Sequence, residues 1–219
     1  MEENDVVEIN YVGRVKSTGK VFDLTDREIA EEEDIDTQNM DLGPVKILIG
    51  GEYVIEGLED AIKGMKVGEE KEIEVTRQKA FGSRKSDNIE TVAEKEFKEY
   101  DITPRRGMTV EVDGRRGKVI ASNNGRVKVD FNHPLAGKDL EYEVEVLRKI
   151  KELKEKVEAV MDYHAPIEYE INVEGEKLTV EIEEELPKGL KSEVEEDIEQ
   201  LDEVENAEIE ETDTEEDSD

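Results

Sequence analysis

The sequence predicts a mixed α+β protein assembled from several small modules. Three observations predict it. Short runs that alternate apolar and polar residues recur along the chain, the mark of half-buried strands. One clear amphipathic helical period, Val54 to Met65, stands between two of these runs. Only 35% of the 219 residues are hydrophobic and 5% aromatic, with no Trp, which is too little apolar material for one large core.

In order, Val6 to Lys16 alternates with Val7, Ile9, Tyr11 and Val15 on one face, and reads as a strand. Ser17-Thr18-Gly19-Lys20 is a turn, and Val21-Phe22-Asp23 begins the returning strand. Leu24 to Gly43 is acidic and weakly periodic. It reads as a long surface loop with one helical turn near Arg27 to Glu33; such loops are often functional. Val45, Ile47 and Ile49 alternate toward Gly50-Gly51. Val54, Leu58, Ala61, Ile62 and Met65 then line one helix face, with Gly64 at its end. Lys71 to Thr76 is a further strand, with Ile73 and Val75 inward.

From Ser83 to Asn132 the pattern changes. A short helix is expected at Ala93 to Tyr100. Strands are expected at Met108–Val112, Gly117–Ala121 and Val127–Phe131, split by Asp113-Gly114 and Asn123-Asn124-Gly125 turns. Leu140 to Leu147 then alternates as strongly as the first region, as though its last strand returned after an insertion. Arg148 to Met161 reads as a helical linker. Ile167–Val173 and Lys177–Glu184 read as a hairpin turning at Glu174-Gly175-Glu176, and Glu193–Leu201 as a helix. Asp202 to Asp219 holds 11 acidic residues and no basic one, a composition expected to stay disordered.

Charge supports this division. The net −32 is uneven: residues 155–219 carry 27 acidic and 4 basic side chains, whereas Ser83 to Phe131 carries 11 basic and 9 acidic. The bland reading of the acidity is solubility. The chain has no cysteine, so disulfide and thiolate chemistry are excluded. The N-terminal segment lacks a basic n-region and an apolar h-region, and no run approaches 18 apolar residues, so a soluble, cytoplasmic protein is expected. The most patterned stretch, PVKILIGGEYVIEGLEDAIKGMKVGEE at 44–70, contains no nucleophile, histidine, metal cluster or phosphate loop. A site built there is an apolar cleft with a few backbone donors.

An ordered set of motifs resembles one family. Tyr11, Phe22-Asp23, the 44–70 stretch, KAFG at 79–82 and LEYEVEV at 140–146 together resemble an FKBP-type peptidyl-prolyl isomerase. Ser83 to Asn132, followed by NHPLAG at 132–137, looks like the insert-in-flap domain of SlyD-type and archaeal members; the 24–43 bulge and C-terminal extension look like the long archaeal form. The resemblance implies an antiparallel β half-barrel wrapped on one helix at 1–82 and 132–150, and an inserted β-rich chaperone domain at 83–131. After these come a helical linker with an α+β module at 151–201 and an acidic disordered tail at 202–219.

It also implies a concave apolar pocket. Tyr11, Phe22 and Asp23 match its first wall. Val45 stands where the eukaryotic family usually has an aromatic residue. Val54 and Ile55 match the segment before the helix, whose second backbone N–H contacts bound peptide. Leu58 replaces the pocket-floor Trp of eukaryotic members, Phe81 stands where Tyr is frequent, and Tyr142 where Phe is usual. Proline turnover is expected to survive these departures; tight macrolide binding is less certain.

The implied activity is rotation of X–Pro bonds in unfolded or nascent polypeptides, with chaperone activity from the insert. Phe22, Val54, Ile55, Leu58, Phe81 and Tyr142 taken alone are more ordinarily core residues, whereas Asp23, a carboxylate after an apolar strand pair, needs a partner; the alignment is what gathers them around one pocket. Two other readings compete. One is a peptide-binding holdase with little isomerase activity. The other is a factor touching the ribosome or RNA through Arg105-Arg106, Arg115-Arg116, Lys118, Arg126 and Lys128, disfavoured because no stacking-aromatic motif accompanies them. No cofactor is implied. SlyD-type proteins often carry a nickel-binding tail, but this chain has only His133 and His164 and no Cys, so such a site is disfavoured. His133 reads as structural. The C-terminal hairpin and helix suit either homodimerisation or a second client surface.

Overall fold

A ten-residue strand, β1 (Val6–Val15), organises the first part of the chain. Along one edge it pairs antiparallel with β9 (Leu140–Lys149) over its length. Its other edge is shared: β3 (Val45–Leu48) takes Val6 to Ile9, and β2 (Val21–Leu24) takes Val12 to Arg14. β4 (Glu70–Val75) pairs with the far side of β9, completing a five-stranded antiparallel sheet. The computed structural model describes residues 1–37, 42–174, 177–183, 185–201, 204 and 206–211. It divides into two compact units, Met1–Val75 with Leu140–Asp219, and Thr76–Asp139.

The segment read from sequence as a long acidic surface loop with one helical turn near Arg27 to Glu33 has that helix and a core of its own. Asp26 caps α1 (Arg27–Glu32), its carboxylate accepting from the Glu28 and Ile29 N–H groups, the usual satisfaction of a helix's first donors. Ala30 is buried with Val12, Val21 and Leu24, and Ile29, Ile35 and Leu42 pack around them. The acidic residues mask this pattern because the apolar positions are sparse. Residues 38–41 of the expected bulge lie outside the described residues.

The expected amphipathic helix is α2 (Glu56–Lys63). It buries Leu58 and Ile62 and packs against β4. Its charges follow the helix dipole, Glu56 and Glu59 in the first turn and Lys63 in the last.

The second unit holds β5 (Ile89–Ala93), α3 (Glu94–Lys98), β6 (Thr109–Val112), β7 (Arg115–Asn123) and β8 (Arg126–Asp130), in the sheet order β5-β8-β7-β6. β5 was not anticipated; its IETVA reads as a loop until it pairs with β8. Val92, Phe97, Val110, Val119, Val127 and Val129 form the unit's core. Arg77 closes its neck, donating through its backbone N–H and two guanidinium nitrogens to Asp139, each at 3.0 Å. Asn132 of the NHPLAG string is a latch. Its amide exchanges hydrogen bonds with the Lys85 backbone at 2.8 and 2.9 Å and donates to Asp130 at 2.7 Å.

Past β9 the chain forms α4 (Leu153–His164), β10 (Tyr169–Glu174), β11 (Lys177–Ile182), α5 (Lys188–Glu199) and β12 (Asn206–Glu211). Two expectations are corrected here. The helix expected as a linker is packed: α4 buries Val157, Val160 and Met161 and lies against both β3 and α5. An exposed linker would not carry so wide an apolar stripe. The tail expected to be disordered contains a strand. β12 runs parallel to β11, and Ile209 is buried while its glutamates face outward. Burial of that apolar side and six residues of ladder offset the charge. The expected turn at Gly175-Glu176 and residues 202, 203, 205 and 212–219 of the expected tail lie outside the described residues. No helix is long and apolar enough to cross a membrane among the described residues.

Candidate functional site

A bulge in β2 builds the site. Opposite β1, Gly13 pairs with Asp23 and Arg14 with Val21, so Phe22 is the extra residue. In a regular strand Phe22 and Asp23 would point to opposite faces. The bulge re-aims one of them, and both side chains meet residues on one side of the sheet. The Phe22 ring stands edge-on to Tyr142, centroids 5.8 Å apart at 89°. Asp23 accepts the Tyr11 hydroxyl at 3.0 Å. Tyr11 in turn stands edge-on to Tyr142, 5.9 Å away at 61°.

The backbone that carries Tyr11 is pinned by Thr25. Its buried hydroxyl accepts from the Tyr11 N–H at 2.9 Å and donates to Asn10 Oδ1 at 3.0 Å, while the Thr25 N–H bonds the Tyr11 carbonyl at 2.9 Å. Tyr142 lies between strands, registered with Gly13 on one side and Ile73 on the other. Gly13 is the empty place the two rings require. A Cβ there would sit 2.8 Å from Phe22 Cζ and 2.9 Å from Tyr142 Cε1.

The electrostatics centre on one carboxylate, Asp23, among half-buried and buried rings. Burial pushes the Tyr11 phenol well above its ordinary pKa, and Asp23 pushes it further. Burial and Asp23 push Tyr142 up in the same way. Both phenols therefore remain protonated through the working range of pH. Asp23 is an acceptor already engaged by the Tyr11 hydroxyl.

Tyr11, Phe22, Asp23 and Tyr142 are thus joined by direct contacts. Val45 is half-buried on β3 opposite Ile9. Val54 and Ile55 are half-buried immediately before α2, and Leu58 is buried in its first turn. Ile55 is the N-cap residue; its carbonyl accepts from the Leu58 and Glu59 N–H groups at 2.9 and 3.1 Å. Among the described residues, no protein acceptor takes the Ile55 N–H. Phe81 belongs to the second unit, where it stacks on His133 at 4.2 Å and 12°. His133 Nδ1 accepts the Leu135 N–H at 3.2 Å.

Sequence reasoning passed over Gly13, Thr25 and Tyr53. A glycine inside an alternating strand is itself a signal of close approach. Thr25 and Tyr53 carry no signal that separates them from ordinary polar and core residues. The basic strip of the second unit is partly consumed internally: Arg115 pairs with Glu90 at 2.8 Å and lies over the Phe131 ring at 4.2 Å. Among the described residues no group of three or more His, Asp or Glu side chains is placed to hold a metal ion.

Comparison with known proteins gives this arrangement a family. A family model described as "FKBP26, IF domain" matches residues 92–135. The chain is 34% identical over 146 residues to a short-type peptidyl-prolyl cis-trans isomerase of Methanocaldococcus jannaschii, covering 67% of this chain and 92% of that protein. It is 30% identical over 131 residues to an FKBP-type peptidyl-prolyl cis-trans isomerase SlyD of Helicobacter pylori, covering 57% of this chain and 70% of the relative. It is 32% identical over 109 residues to an FKBP-type 16 kDa peptidyl-prolyl cis-trans isomerase of Escherichia coli strain K12, covering 48% and 72%. With a relative of this similarity covered almost end to end, the chain belongs to the FKBP-type peptidyl-prolyl isomerase family.

Proposed function

We propose that this protein catalyses cis–trans rotation of X–Pro bonds in proline-containing polypeptides, in a pocket formed by Tyr11, Phe22, Asp23, Val45, Val54, Ile55, Leu58 and Tyr142. The observation that carries the reading is the aromatic cluster around Asp23, with Phe22 re-aimed by a bulge and Gly13 leaving it room, in a member of this family.

The mechanism follows from the amide. The X–Pro C–N bond is partly double, and its rotation barrier is about 20 kcal/mol. The planar amide is more dipolar than the twisted one. An apolar cleft solvates the planar form less well than water does, and so favours the twisted form in relative terms. Tyr142, Phe22 and Leu58 supply that apolar surface. The Ile55 N–H, which has no protein acceptor among the described residues, donates to a peptide carbonyl and holds the chain in a turn about the proline. Asp23, fixed by Tyr11, orients the wall. Each tenfold acceleration requires only about 1.4 kcal/mol of preferential binding to the twisted state, so no acid, base or nucleophile is needed.

In this reading residues 1–82 and 132–150 are the half-barrel isomerase domain, and 83–131 are the insert-in-flap domain that holds unfolded clients. The client-holding role is favoured by Tyr100 and Met108, large apolar side chains 78% and 41% exposed. It is favoured too by a groove of about 590 Å³ that Tyr100 lines with Phe97, Ile102 and Val112, under a rim of Glu96, Glu99, Glu111 and Asp113. Tethering such a surface to the pocket raises the effective concentration of proline segments.

The deciding experiment measures two reactions with the intact chain and with one whose residues 83–131 are replaced by a short loop: isomerisation of a short X–Pro peptide, and refolding of a proline-limited protein. Acceleration of both by the intact chain, with loss mainly of refolding on removal, is expected. Acceleration of neither, with aggregation still suppressed, replaces the isomerase with a holdase.

A further inference from the structure

The pocket's rim is held from outside the isomerase domain. Between Ile49 and Ile55 the chain makes a tight turn, with Gly50 at φ +102° and Glu52 at φ +59°. Glu52 is not a glycine, and a left-handed backbone there persists only where the surroundings enforce it. Tyr53 follows it and is buried. Its ring folds back over the turn, which Gly51 permits, since a Cβ at 51 would lie 2.7 Å from Tyr53 Cε1.

Among the described residues, the aromatic and hydrogen-bond partners of Tyr53 come from the C-terminal module. Tyr163, near the end of α4, stacks on it with centroids 3.7 Å apart and planes at 10°. His164 stands edge-on at 5.7 Å and 90°. The Tyr53 hydroxyl donates to Asp197 Oδ2 on α5 at 2.9 Å, a bond spanning 144 residues. The same oxygen lies 2.7 Å from His164 Nε2, and Gln200 Nε2 donates to Asp197 Oδ1 at 3.3 Å. Asp197 is buried, so its carboxylate is fixed by three side chains. Such a fully paired buried network is rigid, and losing one member strands the rest.

We infer that Asp197, His164 and Tyr163 are positioning residues for the isomerase pocket: they clamp Tyr53, and through it set the Val54–Ile55 segment and the Ile55 N–H. The inference rests on the isomerase reading of that pocket. On this view the C-terminal module is a built-in strut for the substrate-binding rim. Only Val54 separates the clamped Tyr53 from the N–H that receives the peptide, so play in the clamp passes directly to the donor.

The test uses the full-length chain and a short X–Pro peptide. Tyr53→Phe, which keeps the stack and removes the hydroxyl, and Asp197→Ala are each expected to lower kcat/KM about tenfold. The melting curve should remain cooperative, and amide hydrogen exchange at residues 50–55 should speed up. Asp197→Asn, which keeps an oxygen for the Tyr53 hydroxyl, is expected to restore most of the activity and the slow exchange; a purely structural need for the buried charge would not be rescued this way. An active wild-type chain whose Tyr53→Phe and Asp197→Ala variants fold and show unchanged kcat/KM and unchanged exchange at 50–55 overturns the clamp. A folded wild-type chain with no isomerase activity overturns the pocket reading itself, a result distinct from the former.

Discussion

Gly13 and Tyr142 face each other across β1 and β9, and the ring occupies the place a side chain at 13 would need, at 2.9 Å from where its Cβ would stand. The same Cβ would meet Phe22 at 2.8 Å. Neither ring can yield without disturbing the other, because they are edge-to-face partners. Gly13→Ala is therefore expected to spread the aromatic wall, at a cost of about 1–3 kcal/mol in stability, and to lower kcat/KM on a short X–Pro peptide more than tenfold. A crystal structure of the variant with both rings unmoved, together with full activity, would refute the steric argument.

The Tyr11–Asp23 hydrogen bond tests whether Asp23 orients or transfers a proton. Tyr11→Phe leaves the carboxylate without its donor and is expected to cost about 1–2 kcal/mol, with a several-fold fall in kcat/KM. Asp23→Asn keeps an acceptor and should fall less than Asp23→Ala. Burial and Asp23 both raise the Tyr11 phenol, so it stays neutral as pH rises through the ordinary tyrosine range near about 10. Spectrophotometric titration of Tyr11→Phe should lose one late-ionising phenol. The rate on peptide should show no step in that range while the fold persists, and a step that vanishes in Tyr11→Phe would mean the phenol acts chemically.

The client surface separates from the pocket by substrate length. Tyr100→Ser with Met108→Ser removes the two exposed apolar side chains of the second unit and leaves its core, Val92, Phe97, Val110, Val119, Val127 and Val129, intact. Catalysed refolding of a proline-limited protein is expected to fall several-fold, and peptide isomerisation to stay unchanged. Equal loss on both substrates would tie these side chains to the pocket rather than to client holding.

Much of this molecule is written in its alternation. β4 and β9 follow their apolar period directly, as does α2, because each has one wetter and one dry side, whereas β1 and β3 bury residues on both faces, among them Val6, Val12 and Leu48. Features set by pairing are not so written. Phe22 and Asp23 reach the same site only because β2 gains a residue opposite Gly13, which no local period reveals. Val12, Val21, Leu24 and Ala30 form a cluster inside a segment whose acidity reads as loop. β12 hides in a run of glutamates because only Ile209 is deeply buried. The family motifs name the pocket residues one by one, yet they say nothing of Asp197, 144 residues from the tyrosine it holds.

An ion network joins the C-terminal module to the first sheet and carries a pH dependence of known sign. Glu155 on α4 pairs with Arg148 of β9 at 2.5 Å and with Lys46 of β3 at 3.2 Å, and Arg148 also reaches Glu8 of β1 at 2.7 Å. The hydrogen bonds from Arg148, against a smaller opposing effect of burial and with help from Lys46, lower the Glu155 pKa from 4.5 to about 2. A carboxyl depressed on folding stabilises the folded state above its unfolded pKa, and that contribution is lost as pH falls through the folded one. The melting temperature of the wild-type chain should therefore exceed that of Glu155→Gln at neutral pH. The gap should narrow as pH drops below 4.5 and close as pH falls through about 2, below which the wild-type side chain is itself neutral. Because these groups face water, raising the salt at neutral pH should shrink the gap as well. A gap that persists undiminished at the acid end would assign the effect of Glu155→Gln to packing of α4 and not to its charge.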